Sequence, residues 1–203
     1  MITLALESLR GIKIVAASKQ QSIEKIRRVL QEGIHAFGEN FVQEALPKME
    51  ALKNESIEWH FIGHIQSNKT KTIAQYFDWV QSVDRKIIAQ RLHDHRLSTL
   101  PPLNICLEIN ETGGNTKSGI SLNEVPDFIE FLKPLSQLKW RGLMTTITAD
   151  YEKTAKLFFD LKKKGYDIDT LSMGMSADYH EAMKYGATMV RLGTLIFGQR
   201  NKS

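Results

Sequence analysis

The sequence predicts an α/β fold, a single (β/α)8 barrel spanning residues 1–203 as one domain, and three observations carry that prediction. Short β-rich runs alternate with amphipathic helical segments from end to end, about eight times, the number of units that closes such a barrel. No Gly-x-Gly-x-x-Gly follows the first strand, which argues against an open doubly wound sheet. The 203 residues, 42% of them apolar, can build one sizeable core, yet they fall short of the ~250 typical of the fold, so the loops must be lean.

In chain order the units run as follows. A strand at 13–18 leads to a helix at 22–31, started by Ser22 and stopped at Gly33, and a strand at 35–38 leads to a helix at 42–52. Strands at 59–63 and 79–83 precede helices at 69–77 and 86–97, and the strand at 104–109 precedes a helix at 122–132. The strand at 141–145 is followed by a helix at 151–163 that Gly165 stops, and the strand at 170–173 by a helix at 177–185 with Ser176 before it and Gly186 after it. The eighth strand, 188–192, belongs to the apolar run 190–198, read as a buried strand that ends in a glycine turn and contains Arg191.

Composition excludes several functional classes. The net charge of +4 is spread through mixed runs such as Glu24-Lys25-Ile26-Arg27-Arg28, with no basic block interleaved with aromatics, so no nucleic-acid partner is expected. The lone Cys106 rules out an intramolecular disulfide and a cysteine-cluster metal site, and it suits a reducing compartment. Residues 1–7 lack a basic segment followed by a long apolar run, and nothing approaches the ~20 apolar residues of a membrane span. A cytoplasmic protein that binds no membrane is the expectation.

In a parallel barrel the chemistry sits where strands end and helices begin. Lys19 follows the first strand; it suits either a solvated loop or a nucleophilic amine able to form a Schiff base with an aldehyde. Asn40, His64, Gln66 and Asn68 follow the second and third strands and suit either a small polar ligand or, for the asparagines, turns and caps. His60 and His64 do not share a helix face, and His93 and His95 read as helix surface, so no metal site is expected. Residues 113–119 look like a phosphate loop, but a Walker loop needs glycine before its lysine and Thr116 stands there. Lys117 then either reaches over the barrel mouth or is solvated. Cys106, Met173 and Met175 read as packing. The strongest constellation is C-terminal. Ser176 opens a helix, Gly193 and Thr194 supply amides after the last strand, and strands seven and eight are where such barrels hold phosphate. Alternation puts Arg191 on the face of Met189 and Gly193, a charge pointing inward below that cup.

These residues in this order resemble the YggS/PROSC family of pyridoxal 5′-phosphate (PLP) homeostasis proteins. The resemblance covers nearly the whole chain: Ala17-Ser18-Lys19, residues 37–44, Trp59 to Gly63 with Gln66 to Lys69, Ser82 to Arg85, Arg141 to Met144, Leu171 to Ser176, and Val190 to Gly193 with Ile196 to Gly198. It implies the barrel of the alanine racemase N-terminal domain without the racemase's C-terminal β-domain. It implies PLP as cofactor, with Lys19 at the Schiff-base lysine, Ser176, Gly193 and Thr194 at the phosphate, Arg191 facing the pyridine nitrogen, and Asn40 among the contacts. An arginine there disfavours the protonated ring and weakens carbanion stabilisation, which suits a carrier.

The resemblance further implies a monomeric PLP carrier with no catalytic residues of its own and apo PLP-dependent enzymes as candidate recipients. The alternative is a PLP enzyme such as a weak amino-acid racemase. That would need a second acid/base, which the racemase draws from its β-domain, and the expectation from a sequence ending at Ser203 is that no such domain is present. Two departures from the family pattern stand out. Residues 18–22 read Ser-Lys-Gln-Gln-Ser where a second lysine and a proline are usual, and only residues 1–10 are available for a helix before the first strand.

Overall fold

The computed structural model describes residues 9–112 and 118–199. Eight parallel strands form a closed barrel in sequence order: β1 (Lys13–Ala17), β2 (Ala36–Glu39), β3 (Glu58–Phe61), β4 (Trp79–Val83), β5 (Leu103–Glu108), β6 (Leu138–Met144), β7 (Thr170–Met175) and β8 (Met189–Leu192). Closure comes from β8 pairing with β1, Lys13 to Ala16 running beside Met189 to Leu192. The expected fold class is therefore the observed one.

The helices are α1 (Ile23–Gln31), α2 (Val42–Ala51), α3 (Thr70–Tyr76), α4 (Lys86–His95), α5 (Val125–Leu132), α6 (Tyr151–Lys163), α7 (Tyr179–Lys184) and α8 (Thr194–Phe197). Ser22 caps α1 by accepting the Lys25 N–H at 3.4 Å, as its type and place predict. Single 3-10 turns at Ser67–Lys69 and Leu122–Glu124 replace the first residues of two expected helices. In the second of these, Ser121 and Glu124 form a reciprocal capping box.

Two layers of apolar side chains hold the barrel. Val15, Ala36, Trp79, Cys106, Met144 and Met189 form the apolar part of its interior, while the larger layer, including Phe37, Phe61, Ile105, Leu143, Leu171 and Val190, packs the outer face of the strands against the helices. The alternation of Met189, Val190 and Arg191 between those layers is the period of two that a strand imposes.

Two expectations need correction. The last strand ends at Leu192 as expected, but Gly193 caps the one-turn helix α8, so the apolar run 190–198 is part strand and part helix where one strand ending in a glycine turn was expected. Periodicity alone cannot separate these states in so short an apolar run. Ser176 does not open a helix either: β7 extends to Met175, residues 176–178 turn, and Asp178 precedes α7 while its Oδ1 accepts the Met175 N–H at 2.6 Å. The segment proposed for an N-terminal helix and the loop with Lys117 lie largely or wholly outside the described residues. No described helix is long and apolar enough to cross a membrane.

Candidate functional site

Lys19 lies two residues beyond β1 at the C-terminal mouth of the barrel, half-buried, with its Nζ 4.8 Å from the centroid of the Phe41 ring. The loop carrying it is pinned from below. Ser18 donates its N–H to the Gly38 carbonyl at 2.9 Å and its hydroxyl to Glu39 Oε1 at 2.6 Å. Lys48, on α2, donates to Glu39 Oε1, Glu44 Oε1 and the Ser18 carbonyl, each at 2.7 Å. Glu44 also accepts the Gln20 N–H, and Gln20 adopts a left-handed φ of 60°, a cost that this fixed partner offsets. Burial pushes the Glu39 carboxyl up, and the hydrogen bonds from Lys48 and Ser18 work against that rise.

On the far side of β1 lies the C-terminal cup that the sequence led us to expect at an anion. The N–H groups of Gly193 and Leu195 converge on the Ser176 hydroxyl oxygen at 3.1 and 3.2 Å. The structure thus brings Ser176 and Gly193 together, with Thr194 exposed between the two amides. The second amide is that of Leu195, which sequence reading missed because the helical turn there was not foreseen. A Cβ on Gly193 would sit 3.7 Å from Ala17, so this cup adjoins the end of the strand that carries Lys19. Asn40 lies one loop further round and lines a cleft of about 280 Å³ with Phe41, Gly63, His64, Gln66 and Lys69.

Beneath the cup Arg191 is buried and points inward. Its Nη1 donates to the Ser172 carbonyl at 3.0 Å and to the Ser172 hydroxyl at 2.5 Å, and Nη2 donates to the Thr145 carbonyl at 2.9 Å. Anchors on β7 and on the residue just after β6 fix the guanidinium plane. Burial lowers its proton affinity, opposed by Tyr151 and Glu108.

A family model described as "Alanine racemase, N-terminal domain" matches residues 5–201. The pyridoxal phosphate homeostasis protein of Vibrio alginolyticus is 44% identical over 206 residues, covering 95% of this chain and 88% of its own length. Its namesake in Escherichia coli K12 is 41% identical over 204 residues, covering 95% and 87%. This chain belongs to the pyridoxal phosphate homeostasis protein family. Among solved structures similar to this family member, PipY of Synechococcus elongatus PCC7942 with PLP bound superposes with a TM-score of 0.87 at 30% identity, covering 98% of this chain and all of PipY. Alanine racemase from E. faecalis, at 18% identity and a TM-score of 0.73, shares the fold over 98% of this chain and 57% of its own.

Among the described residues no group of His, Cys, Asp and Glu is placed to hold a metal ion. Cys106 lies in the barrel interior, its thiol pushed up to about 12 by burial, and is the inert packing residue expected. Sequence reading missed the Glu39–Lys48 pair, and the signal was present: a carboxylate in a buried strand needs a nearby cation.

It also missed Glu108. This residue ends β5 two positions past the interior Cys106 and is 7% exposed, and its Oε2 has no hydrogen-bond partner. Burial pushes its carboxyl up to about 7, helped by Asp84 and opposed by Ser118 and Arg191. A raised native pKa means that stability is complete below about pH 4.5 and is lost as pH rises towards 7. Glu108→Gln is therefore expected to match the parent near pH 4 and to exceed it above pH 7 by up to ~3 kcal/mol. Urea unfolding at a series of pH values checks this; a difference independent of pH would contradict it.

Proposed function

We propose that this protein binds PLP and serves intracellular PLP homeostasis, with Lys19 as the point of attachment, Ser176 and the Gly193 to Leu195 turn at the phosphate, and Arg191 facing the ring nitrogen. The observation that carries the reading is the adjacency of an amine, a two-amide cup and a buried guanidinium at one barrel mouth, in a chain whose fold matches PLP-bound PipY. The donor set fits the group. Paired amides suit a phosphate, and a fixed N–H donor suits an unprotonated ring nitrogen.

When bound, PLP supplies a reactive aldehyde and an electron-accepting ring. Lys19 would hold the group by supplying the amine for that aldehyde. Phe41 covers one side of the lysine, and the Glu39–Lys48 cluster holds its loop in register. Arg191 would donate to the ring nitrogen and keep a proton off it, which would weaken the ring as an electron sink. Asn40 lines the neighbouring cleft beside Phe41. These features support holding the cofactor rather than turning over a substrate, in a cytoplasmic monomer whose recipients would be apo PLP-dependent enzymes.

Borohydride treatment of the PLP-loaded protein is expected to fix one pyridoxyl group on the peptide containing Lys19, and Lys19→Ala is expected to remove that label. Peptide mass analysis reads both. A loaded protein whose Lys19 stays unmodified would falsify the assignment.

A further inference from the structure

The barrel interior, which in this fold is ordinarily filled by branched apolar residues, here contains a continuous file of polar side chains. It starts at Arg191, whose Nη1 donates to the Ser172 hydroxyl at 2.5 Å. That hydroxyl, having accepted, gives its own hydrogen to Gln81 Oε1 at 2.7 Å. The Gln81 amide nitrogen lies 2.9 Å from His60 Nδ1 and can only donate, so Nδ1 is the acceptor and the ring proton sits on Nε2. His60 Nε2 then donates to Glu58 Oε1 at 2.5 Å, and Lys13 closes the file on the same oxygen.

From Arg191 to Glu58 every donor thus points the same way, from a buried cation near one mouth to a carboxylate at the other, which Lys13 meets from the opposite side. Ser172, Gln81 and His60 are fully buried. Glu58, about one third exposed, lines a cavity of about 340 Å³ on the N-terminal face. The His60 ring is held in place by Trp79, stacked at 5.2 Å and 13°, and the Trp79 ring in turn carries Lys13 and Arg141 at 5.1 and 4.8 Å.

We infer that His60, through Gln81 and Ser172, is a positioning residue for Arg191, so that the N-terminal face of the barrel sets how the arginine meets the cofactor ring at the opposite mouth. The inference rests on the reading of Arg191 as the partner of the PLP ring nitrogen. Its physical basis is the one-way order of the file. If His60 no longer accepts from Gln81, only the 3.2 Å contact of the amide NH2 with the Met189 sulfur, a weak acceptor, still opposes a flip that presents that NH2 to Ser172. The serine hydroxyl then faces two donors, Gln81 and Arg191, and its own hydrogen has lost its acceptor. Arg191 must shift or lose one of its three bonds. The file also keeps His60 neutral: burial lowers its proton affinity, and protonation at Nδ1 would oppose the Gln81 donor.

The test uses the full chain loaded with PLP. His60→Phe keeps a ring to stack on Trp79 and removes both nitrogens, and Gln81→Leu cuts the file at its centre. Both are expected to bind PLP roughly ten-fold more weakly and to shift the pH midpoint of the bound cofactor's absorbance, while borohydride still labels Lys19. Ile73→Val, a core change in α3 away from the interior, is expected to lower stability but to leave the absorbance titration unmoved. Should His60→Phe fail to fold, Glu58→Gln at the half-open end carries the test, with a smaller shift in the same direction. Variants that titrate and bind like the parent overturn this inference alone. A parent protein that takes up no PLP overturns the functional reading with it.

Discussion

Lys48→Met is expected to lower the unfolding free energy by about 3–5 kcal/mol near pH 7.5, because it leaves the Glu39 carboxylate buried without its cation. Glu39 has no exposed surface, and its Oε2 already lacks a partner, so nothing else takes over the lost ammonium. The sign of the pH dependence follows. Burial raises the Glu39 pKa in the folded protein, and removing Lys48 raises it further, so a protonated Glu39 tolerates the loss. The penalty should therefore be large above the folded pKa of Glu39 and shrink as pH falls through it. The double variant Glu39→Gln/Lys48→Met should recover most of the loss, since the uncompensated charge is gone. Urea unfolding of the four proteins at pH 7.5 and 4.5 measures this. Equal penalties at both pH values, or no recovery in the double variant, would show that the cluster is not what holds the loop. The same lysine bonds the Ser18 carbonyl, next to Lys19, so the single variant should also retain PLP less well.

The second large effect is expected at Gly142, where β6 passes between β5 and β7. Its φ of 147° lies in a region that other residues avoid, and a Cβ there would come 1.9 Å from the Thr170 carbonyl oxygen. That oxygen belongs to backbone across the β6–β7 pairing, in which Gly142 faces Thr170, so it cannot move without opening the barrel. Gly142→Ala is expected to cost ~4 kcal/mol or more, a loss of about 10 °C in melting temperature for a chain of this size. Gly165→Ala separates crowding from backbone strain. Its φ of 88° is also left-handed, yet nothing lies within 4 Å of the added carbon, so only about 1 kcal/mol is expected. Thermal unfolding of the two variants compares them directly, and equal losses would argue that crowding at Gly142 contributes nothing.

Much of the barrel was legible because each unit carries its own local signals. The alternation of Met189 and Arg191 with Val190 gave the inward face of β8, and Ser22 marked the start of α1. Legibility failed where a short apolar run suits two states, as at residues 193–198, and where a serine can end a strand as well as start a helix, as at Ser176.

The site divides along the same line. Family, barrel and the places of Lys19, Ser176, Gly193 and Arg191 at or near strand ends are legible from the chain alone, because strand order and period put residues on faces and at mouths without reference to distant partners. Three features emerge with the closed barrel: Leu195 supplies the second amide, Lys48 reaches Glu39 beneath the Lys19 loop, and Arg191, Ser172, Gln81, His60 and Glu58 form one file. Those contacts join residues up to 91 positions apart, and whether a buried polar group finds a partner depends on closing the barrel, which no local pattern encodes.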